Sequence, residues 1–431
     1  DATDDEGASG AGRPVRLAPA ARPDRLPVSL AQRRLWFLNR LEPGSAAYNI
    51  PVVLHLEGPL DVAALRAAFG DVVARHEPLR TVFPYVDGEP VQVVLEGDQA
   101  AVPFTSVDVP ASQVDSVVEQ EALRPFDVTE QTPLRAVLLR TAPDTHVLVA
   151  TMHHIASDGW SLAPFARDLS VAYAARVEGR VPDQAALPVT YADFTLWQRE
   201  HLGDPADESS VLAEQLTYWQ RALAGAPDEI SLPRDRSRGA ADPTDPTQQG
   251  VGELALELDP ERHAAVRALA AEHRTSVFIV LHAALAVALE QQGAGEDVVL
   301  GTPVAGRTDP QLDELVGFFV TTVVLRTSLA QDPTLAEVLG RVRAGNTEAY
   351  AHQDVPFDSL VDALRPPRVA DRHPLFQVLL TLQSNEPAQI DLAGLTVTVP
   401  GQVTSAGVKT DLLVDFQAPS GDDGPLGGTL G

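Results

Sequence analysis

The sequence predicts an α/β fold built from two packed units. The chain has 431 residues, whereas one hydrophobic core usually serves no more than roughly 250–300 residues. In both halves, runs rich in β-branched residues, typical of buried strands, alternate with segments that carry apolar residues at helical spacing. No sequence repeat of short fixed period occurs, which argues against a solenoid or a propeller. We expect the two units to meet near residue 180.

The first unit is predicted to contain a helix, a hairpin and a central strand, in that order. Residues 61–77 place apolar side chains at helical spacing behind Asp61, a residue type that suits a helix N-cap. The pair Asp87-Gly88 lies between two runs rich in valine and aromatic residues, which is the pattern of a β-hairpin. The run from His146 to Met152 is nearly all apolar, as expected of a strand that is buried on both faces of a sheet.

The second unit repeats this style of helix and strand. Residues 233–250 are rich in Pro, Asp and Gly and are predicted to form a loop. Residues 252–258 alternate like a half-buried strand. The segment that begins at Val277 is apolar on nearly every side, which predicts a helix buried between layers. Two further strand-like runs begin at Asp297 and Phe318.

Composition and charge exclude several classes of function. The 60 acidic and 32 basic residues give a net charge of -28, which repels phosphate backbones and anionic lipid surfaces, so neither nucleic acid nor a membrane is an expected partner. No uninterrupted apolar run reaches the roughly 18 residues that a membrane span needs. The chain has no cysteine, which suits the cytoplasm and means that thioester chemistry would need a partner's thiol.

The N-terminal residues 1–13 are acidic and rich in small residues, and they lack the basic start and apolar stretch of a secretory signal. We expect them to form a linker or the edge of an excised segment.

The sharpest functional signal is the pattern HHxxxDG, formed by His153, His154, Asp158 and Gly159 at the end of the predicted buried strand. Loops at strand ends project side chains into clefts. Adjacent strand residues point to opposite faces, so the two histidines are poorly placed to bind one metal ion, and no metal site is predicted. One histidine should face a cleft and the other the core. Asp158 either orients an imidazole or forms a structural ion pair, and Gly159 permits close approach of a substrate.

The motif resembles the signature of the condensation domains of nonribosomal peptide synthetases. Other segments are similar to further motifs of that family, in the same order along the chain: SLAQRRLWFL (29–38), YNIP (48–51), RHEPLRTVF (75–83), YADFTLW (191–197), VGFFVTT (316–322), HQDVPF (352–357) and RHPLFQV (372–378). The resemblance begins at about residue 14. It implies two chloramphenicol-acetyltransferase-like lobes arranged in a V with a central substrate tunnel. The N-terminal lobe would be residues 14–180, and the C-terminal lobe residues 181–431.

The resemblance also implies an activity. Condensation domains join a donor acyl or peptidyl thioester to the amine of an acceptor aminoacyl thioester. Both substrates are held on the 4'-phosphopantetheine arms of upstream donor and downstream acceptor peptidyl carrier proteins, next to an adenylation domain. No cofactor is expected on this domain itself. The resemblance places His154 at the reaction centre, with His153 holding the loop, and it pairs Arg75 with Asp158. Trp160 and Ser161, which follow the motif, are predicted to bind substrate.

The role of His154 is open between a general base and a positioning group. A thioester is already activated, and an α-amino group with a pKa of about 8 is partly neutral near pH 7, so a strong base is not required. We therefore favour positioning with late proton transfer. The chain departs from the family pattern at Thr321, where members usually have Asn, so no asparagine role is transferred. It also stops at Gly431, where members commonly add a strand and a helix, and we expect the C-terminal lobe to be truncated.

The resemblance also points to a subtype of the family. Residues 168–180 and 188–205 look most like members that take a D-configured donor and an L or glycyl acceptor. Heterocyclising members carry DxxxxD in place of the paired histidines, and epimerisation domains differ around the shared core.

Two alternative functions are a noncatalytic carrier-docking platform and a free-standing acyltransferase that uses an acyl coenzyme A. The intact motif argues against the first, and the acidic composition and linker-like N-terminus argue against the second.

Overall fold

The computed structural model describes residues 15–233, 252–367, 369, 372–383, 389–400, 410–419 and 424–431. Within these residues the α-helices are α1 (Leu30–Leu41), α2 (Val62–Arg75), α3 (Val114–Leu123), α4 (Leu162–Val177), α5 (Tyr191–Leu202), α6 (Val211–Ala222), α7 (Pro260–Glu272), α8 (Val277–Leu289), α9 (Leu335–Ala351) and α10 (Phe357–Leu364). The strands are β1 (Leu26–Pro27), β2 (Asn49–Glu57), β3 (Thr81–Val82), β4 (Tyr85–Val86), β5 (Glu89–Val94), β6 (Phe104–Asp108), β7 (Leu134–Ala142), β8 (Thr145–His153), β9 (Leu254–Leu258), β10 (Asp297–Val304), β11 (Thr321–Ser328), β12 (Val378–Gln383), β13 (Thr396–Thr398), β14 (Leu412–Gln417) and β15 (Leu426–Leu430). The predicted linker and nearly all of the predicted loop at 233–250 lie outside the described residues.

The first large sheet has five strands in the order β13-β2-β8-β7-β6. Strand β8 occupies the middle, which confirms the prediction of a central strand. Its side chains alternate between two apolar clusters: Leu148 and Met152 pack with α2 and α4 on one face, whereas Val147 and Val149 pack with α3 on the other. Because helices cover both faces of the sheet at this strand, nearly all of its residues are apolar.

Local sequence chemistry sets the boundaries of the neighbouring elements. Helix α2 begins after Asp61, whose carboxylate accepts a hydrogen bond from the Ala64 backbone N–H at 2.9 Å, so the predicted N-cap is confirmed. The predicted hairpin is confirmed as well. Asp87 and Gly88 have φ angles of 50° and 94°, the left-handed pair of a type I′ turn between β4 and β5.

The second large sheet has six strands in the order β11-β10-β12-β14-β15-β9. Strands β9 and β10 lie where the sequence predicts them. Strand β11 begins at Thr321, not at Phe318, because the preceding residues leave the sheet. The segment 316–320 instead makes its backbone hydrogen bonds with side chains that are distant in sequence.

Helix α8 forms where the sequence predicts an apolar helix, but it is buried only in part, since Ala284 and Ala288 are exposed. Val280, Ala283 and Leu289 are buried and pack against residues of β10 and α9 in one core cluster. With the turn that follows, residues Val277–Ala294 have a mean hydropathy of 1.5 and reach the length of a membrane span. The helix packs against α7 and α9.

Contacts between the halves of the chain include a strand pairing and a loop contact. Strand β13 comes from the second half but pairs with β2 at the edge of the first sheet, with Thr396 opposite Glu57. Segment 316–320 reaches the loop that follows β8. The structure therefore confirms a mixed α/β fold in which residues of the second half complete the surroundings of the HHxxxDG loop.

Candidate active site

The HHxxxDG loop is shaped by its own side chains. Two short 3₁₀ turns lead from the end of β8 into α4. The first is capped by His153, whose Nδ1 accepts a hydrogen bond from the Ile155 backbone N–H at 3.1 Å. The second is capped by Asp158, whose Oδ1 accepts from the Ser161 backbone N–H at 2.9 Å. The residue types of the motif thus fix the loop conformation locally.

The two histidines face different surroundings. His153 is buried, with 2% of its surface exposed, and its ring lies 5.9 Å from that of Phe126 and 6.3 Å from that of Tyr48. His154 is half-buried, lines a cavity and lies edge-on to Phe318 at a ring-centroid distance of 5.7 Å. This confirms that one histidine faces the core and the other a cleft.

The protonation pattern of His154 follows from its neighbour. Its Nδ1 lies 3.0 Å from the Ser157 carbonyl oxygen. Because a carbonyl can only accept, Nδ1 carries the proton in the neutral ring, and Nε2 carries the lone pair. The ring is thereby held in a single tautomer. In this tautomer Nε2 is the ring nitrogen with acceptor character.

The cavity beside His154 has a volume of about 1070 Å³, just above the roughly 300–1,000 Å³ that is usual for ligand sites. Its walls come from both halves of the chain: α1, α5, the HHxxxDG loop, residues 303–322, residues 353–358 and residues 373–383. Gly159, Trp160 and Thr321 belong to this lining. A Cβ added to Gly159 would meet no atom within 4 Å, so the space beside this backbone is open.

Asp158 is fully buried, and its carboxylate contacts residues from the second half of the chain. Its Oδ2 accepts hydrogen bonds from the backbone N–H groups of Phe319 at 2.9 Å and Val320 at 3.3 Å. Its Oδ1 lies 3.4 Å from Nη2 of Arg307, whose side chain is 4% exposed. Among the described contacts of Asp158 none is to His154. Of the two alternatives left open by the sequence, the structure selects the structural ion pair.

The predicted ion pair between Arg75 and Asp158 is wrong. Arg75 lies at the end of α2, and its Nε donates to Oδ2 of Asp168 at 2.8 Å while Nη1 donates to the Ala185 carbonyl at 2.6 Å. Asp168 is in the second turn of α4, whereas Asp158 precedes this helix and faces the second half of the chain. The cation that reaches Asp158 is therefore Arg307.

The prediction that Ser161 binds substrate is also corrected. Its side chain is fully buried and does not belong to the cavity lining. The hydroxyl lies 2.8 Å from both Asp158 Oδ1 and the Gly317 carbonyl, and it accepts from the Gly317 backbone N–H at 3.1 Å. Ser161 therefore ties the motif loop to segment 316–320.

Two residues of this arrangement were not singled out by the sequence as site residues. Arg307 follows no recognisable pattern, and its guanidinium stacks 4.2 Å above the ring of Phe319. Tyr191 opens the segment YADFTLW and donates a hydrogen bond to the Phe318 carbonyl at 2.6 Å. Burial raises the pKa of Tyr191, so its hydroxyl stays a neutral donor. The only available signal was the ordered occurrence of the 191–197 and 316–322 motifs.

The fold and the site together define a mixed α/β protein with a large cavity beside a histidine whose Nδ1 faces a backbone carbonyl. The family model described as the condensation domain matches residues 23–405, and the chain belongs to this family.

Individual relatives agree with this assignment. The chain is 48% identical over 400 residues to the isonitrile lipopeptide synthase of Mycobacterium tuberculosis, covering 92% of this chain. The X-domain from teicoplanin biosynthesis superposes with a TM-score of 0.87 at 34% identity, covering 96% of this chain and 91% of the X-domain. The first condensation domain of the calcium-dependent antibiotic synthetase shares the fold, with a TM-score of 0.73 at 21% identity, covering 95% and 91% of the two chains. This chain spans 16%, 5% and 17% of the lengths of three curated relatives.

Proposed function

We propose that this chain catalyses formation of an amide bond between a donor acyl or peptidyl thioester and the amine of an acceptor aminoacyl thioester. The observation that carries the proposal is the placement of His154. The histidine lines a cavity of about 1070 Å³, and the Ser157 carbonyl holds its proton on Nδ1. Membership of the condensation-domain family supports the same reaction.

In the proposed step the neutral amine attacks the thioester carbonyl carbon, the C–N bond forms, and the C–S bond breaks. The proton lost by nitrogen ends on the departing thiolate, so the products are an amide and a free thiol. Nε2 of His154 accepts a hydrogen bond from the attacking amine and takes up its proton late. Orientation of two bound reactants is worth up to about 7–11 kcal/mol of the barrier, whereas general-base help is worth about 100-fold to 10,000-fold. Positioning is therefore the larger contribution.

The partners in this proposal are an upstream donor and a downstream acceptor peptidyl carrier protein, each with a 4'-phosphopantetheine arm, and a neighbouring adenylation domain. Two lobes in a V with the arms meeting in a central tunnel would bring both thioesters to His154. Walls contributed by both halves of the chain support this arrangement. A D-configured donor and a cytoplasmic location are included in the proposal on the strength of the sequence resemblance and the absence of cysteine.

The test is intact-mass detection of donor transfer between two loaded carrier proteins. We expect the wild-type chain to extend the acceptor carrier and His154→Ala to slow this at least about 100-fold. His201→Ala is the matched control, because this histidine lines the same cavity but stacks on Trp197, with 5.0 Å between the rings, outside the motif loop. Equal slowing by both substitutions would contradict the placement of His154 at the reaction centre.

A second candidate function is a noncatalytic platform that binds carriers or recruits a tailoring enzyme. The observation that favours it is the similarity to the X-domain from teicoplanin biosynthesis, which has also been solved in a complex with OxyB. The same assay separates the two. Measurable carrier binding by a wild-type chain that extends no acceptor, with several matched carrier pairs, would favour the platform.

A further inference from the structure

Segment 316–320 is held in place almost entirely by side chains from elsewhere in the chain. It lies outside regular secondary structure, between the turn Pro310–Leu312 and β11. Ser161 bonds the N–H and C=O of Gly317, and Tyr191 bonds the C=O of Phe318. Asp158 accepts from the two residues that follow. Buried backbone groups need partners, so these side chains replace the hydrogen bonds that a sheet would supply.

The first backbone N–H group of the segment, that of Val316, donates its hydrogen bond to His76. The Val316 backbone N–H donates to Nδ1 of His76 at 3.3 Å, and Nε2 of the same ring lies 2.8 Å from Oδ2 of Asp168. His76 is 1% exposed. It belongs to the RHEPLRTVF segment, which the proposed reaction does not otherwise use.

The two partners of His76 define one protonation state. Val316 N–H can only donate, so Nδ1 must carry a lone pair, and the ionised carboxylate of Asp168 can only accept, so Nε2 must carry the proton. Burial lowers the pKa of His76 although its hydrogen bond and the charge of Asp168 oppose this, and the nearby charges of Arg75 and Arg167 lower it further. The neutral ring satisfies both contacts at once.

We propose that His76 is a positioning residue for the reaction: by accepting the Val316 N–H it fixes segment 316–320, which carries Phe318 against the ring of His154. The edge-on contact at 5.7 Å between these rings transmits the position of the segment to the proposed reaction centre. Thr321, which follows the segment directly, lines the same cavity. The inference rests on the proposed function, since it names a further residue for that reaction.

Two conservative substitutions separate the two contacts of His76. In His76→Asn, the side-chain oxygen lies as many bonds from Cα as Nδ1 does, so it can still accept from Val316 while the contact with Asp168 is lost. In His76→Gln, the side-chain nitrogen matches Nε2, so the contact with Asp168 can remain while Val316 loses its acceptor. Because Asn is the smaller side chain, a general loss of packing would affect His76→Asn more than His76→Gln.

The readouts are hydrogen exchange of peptides that cover residues 316–320 and steady-state amide formation between loaded carriers. We expect His76→Gln to speed exchange of this segment and to lower kcat, each about tenfold, with little change in KM for the acceptor carrier. His76→Asn should stay near wild type in both readouts. Equal behaviour of the two variants, or a His76→Gln variant like wild type, would overturn the inference. If the wild-type chain forms no product, the proposed function fails, and the exchange comparison still decides whether His76 fixes the segment.

Discussion

Replacing Asp158 with Asn should destabilise the protein by about 3 kcal/mol, and the loss should be coupled to Arg307. The carboxylate accepts from the backbone N–H groups of Ser161, Phe319 and Val320 and lies 3.4 Å from Arg307. An amide has one acceptor oxygen, so it leaves either the two backbone N–H groups of segment 316–320 or that of Ser161 without an acceptor. In the second case Arg307 also loses its charged partner, although its Nη2 keeps a contact of 3.1 Å with the Ser161 hydroxyl. Each buried unsatisfied group costs about 1–3 kcal/mol, and breaking a buried ion pair costs about 3–5 kcal/mol.

The assay is a pair of double-mutant cycles on the free energy of unfolding in urea. One cycle combines Asp158→Asn with Arg307→Gln, for which we expect a coupling of about 1–3 kcal/mol because the two side chains are in contact. The other combines Asp158→Asn with Arg75→Gln, for which we expect additivity within about 0.5 kcal/mol, since the described hydrogen bonds of Arg75 go to Asp168 and Ala185. A larger coupling of Asp158 to Arg75 than to Arg307 would refute the assignment of Arg307 as the ion-pair partner of Asp158.

Three further outcomes are expected. Gly317→Ala should lower the thermal unfolding temperature, because its Cβ would lie 2.3 Å from a ring carbon of Tyr191 and overpacking costs about 1–3 kcal/mol; an unchanged melt would contradict this close contact. Gly159→Ala should leave the melt unchanged, since its Cβ meets no atom within 4 Å, but should slow amide formation if substrate passes there. Burial lowers the pKa of His282 to about 4, so the stability it contributes is fully present above about pH 6.5 and is lost as pH falls through 4. This loss amounts to about 3 kcal/mol, and pH-dependent urea unfolding of His282→Gln should show a shallower decline over this range.

The elements that the sequence predicts correctly are those specified by neighbouring residues. The Asp61 cap acts within one helical turn, and the Asp87-Gly88 turn needs two adjacent residues that tolerate left-handed φ angles. The central strand is recognisable because both of its faces are buried. In each case the physical cause lies within a few residues of its effect.

Only part of the candidate site could be predicted from the sequence, because many of its contacts join residues that lie far apart along the chain. The motif identifies His154 and predicts opposite orientations for the two histidines, because alternation along a strand is local. The partner of Asp158 was predicted wrongly, since Arg75 and Arg307 are equally plausible cations until the chain is folded. The buried position of Ser161 likewise depends on Gly317, which lies far along the sequence.

The sequence by itself determined the α/β class, the family resemblance and the histidine loop, because periodicity, turn chemistry and motif order are properties of short segments. Only the tertiary structure decided which side chains hold segment 316–320 and which residues of the two halves line the cavity. Those choices depend on hydrogen bonds between residues more than 120 positions apart, where neither spacing nor periodicity carries information.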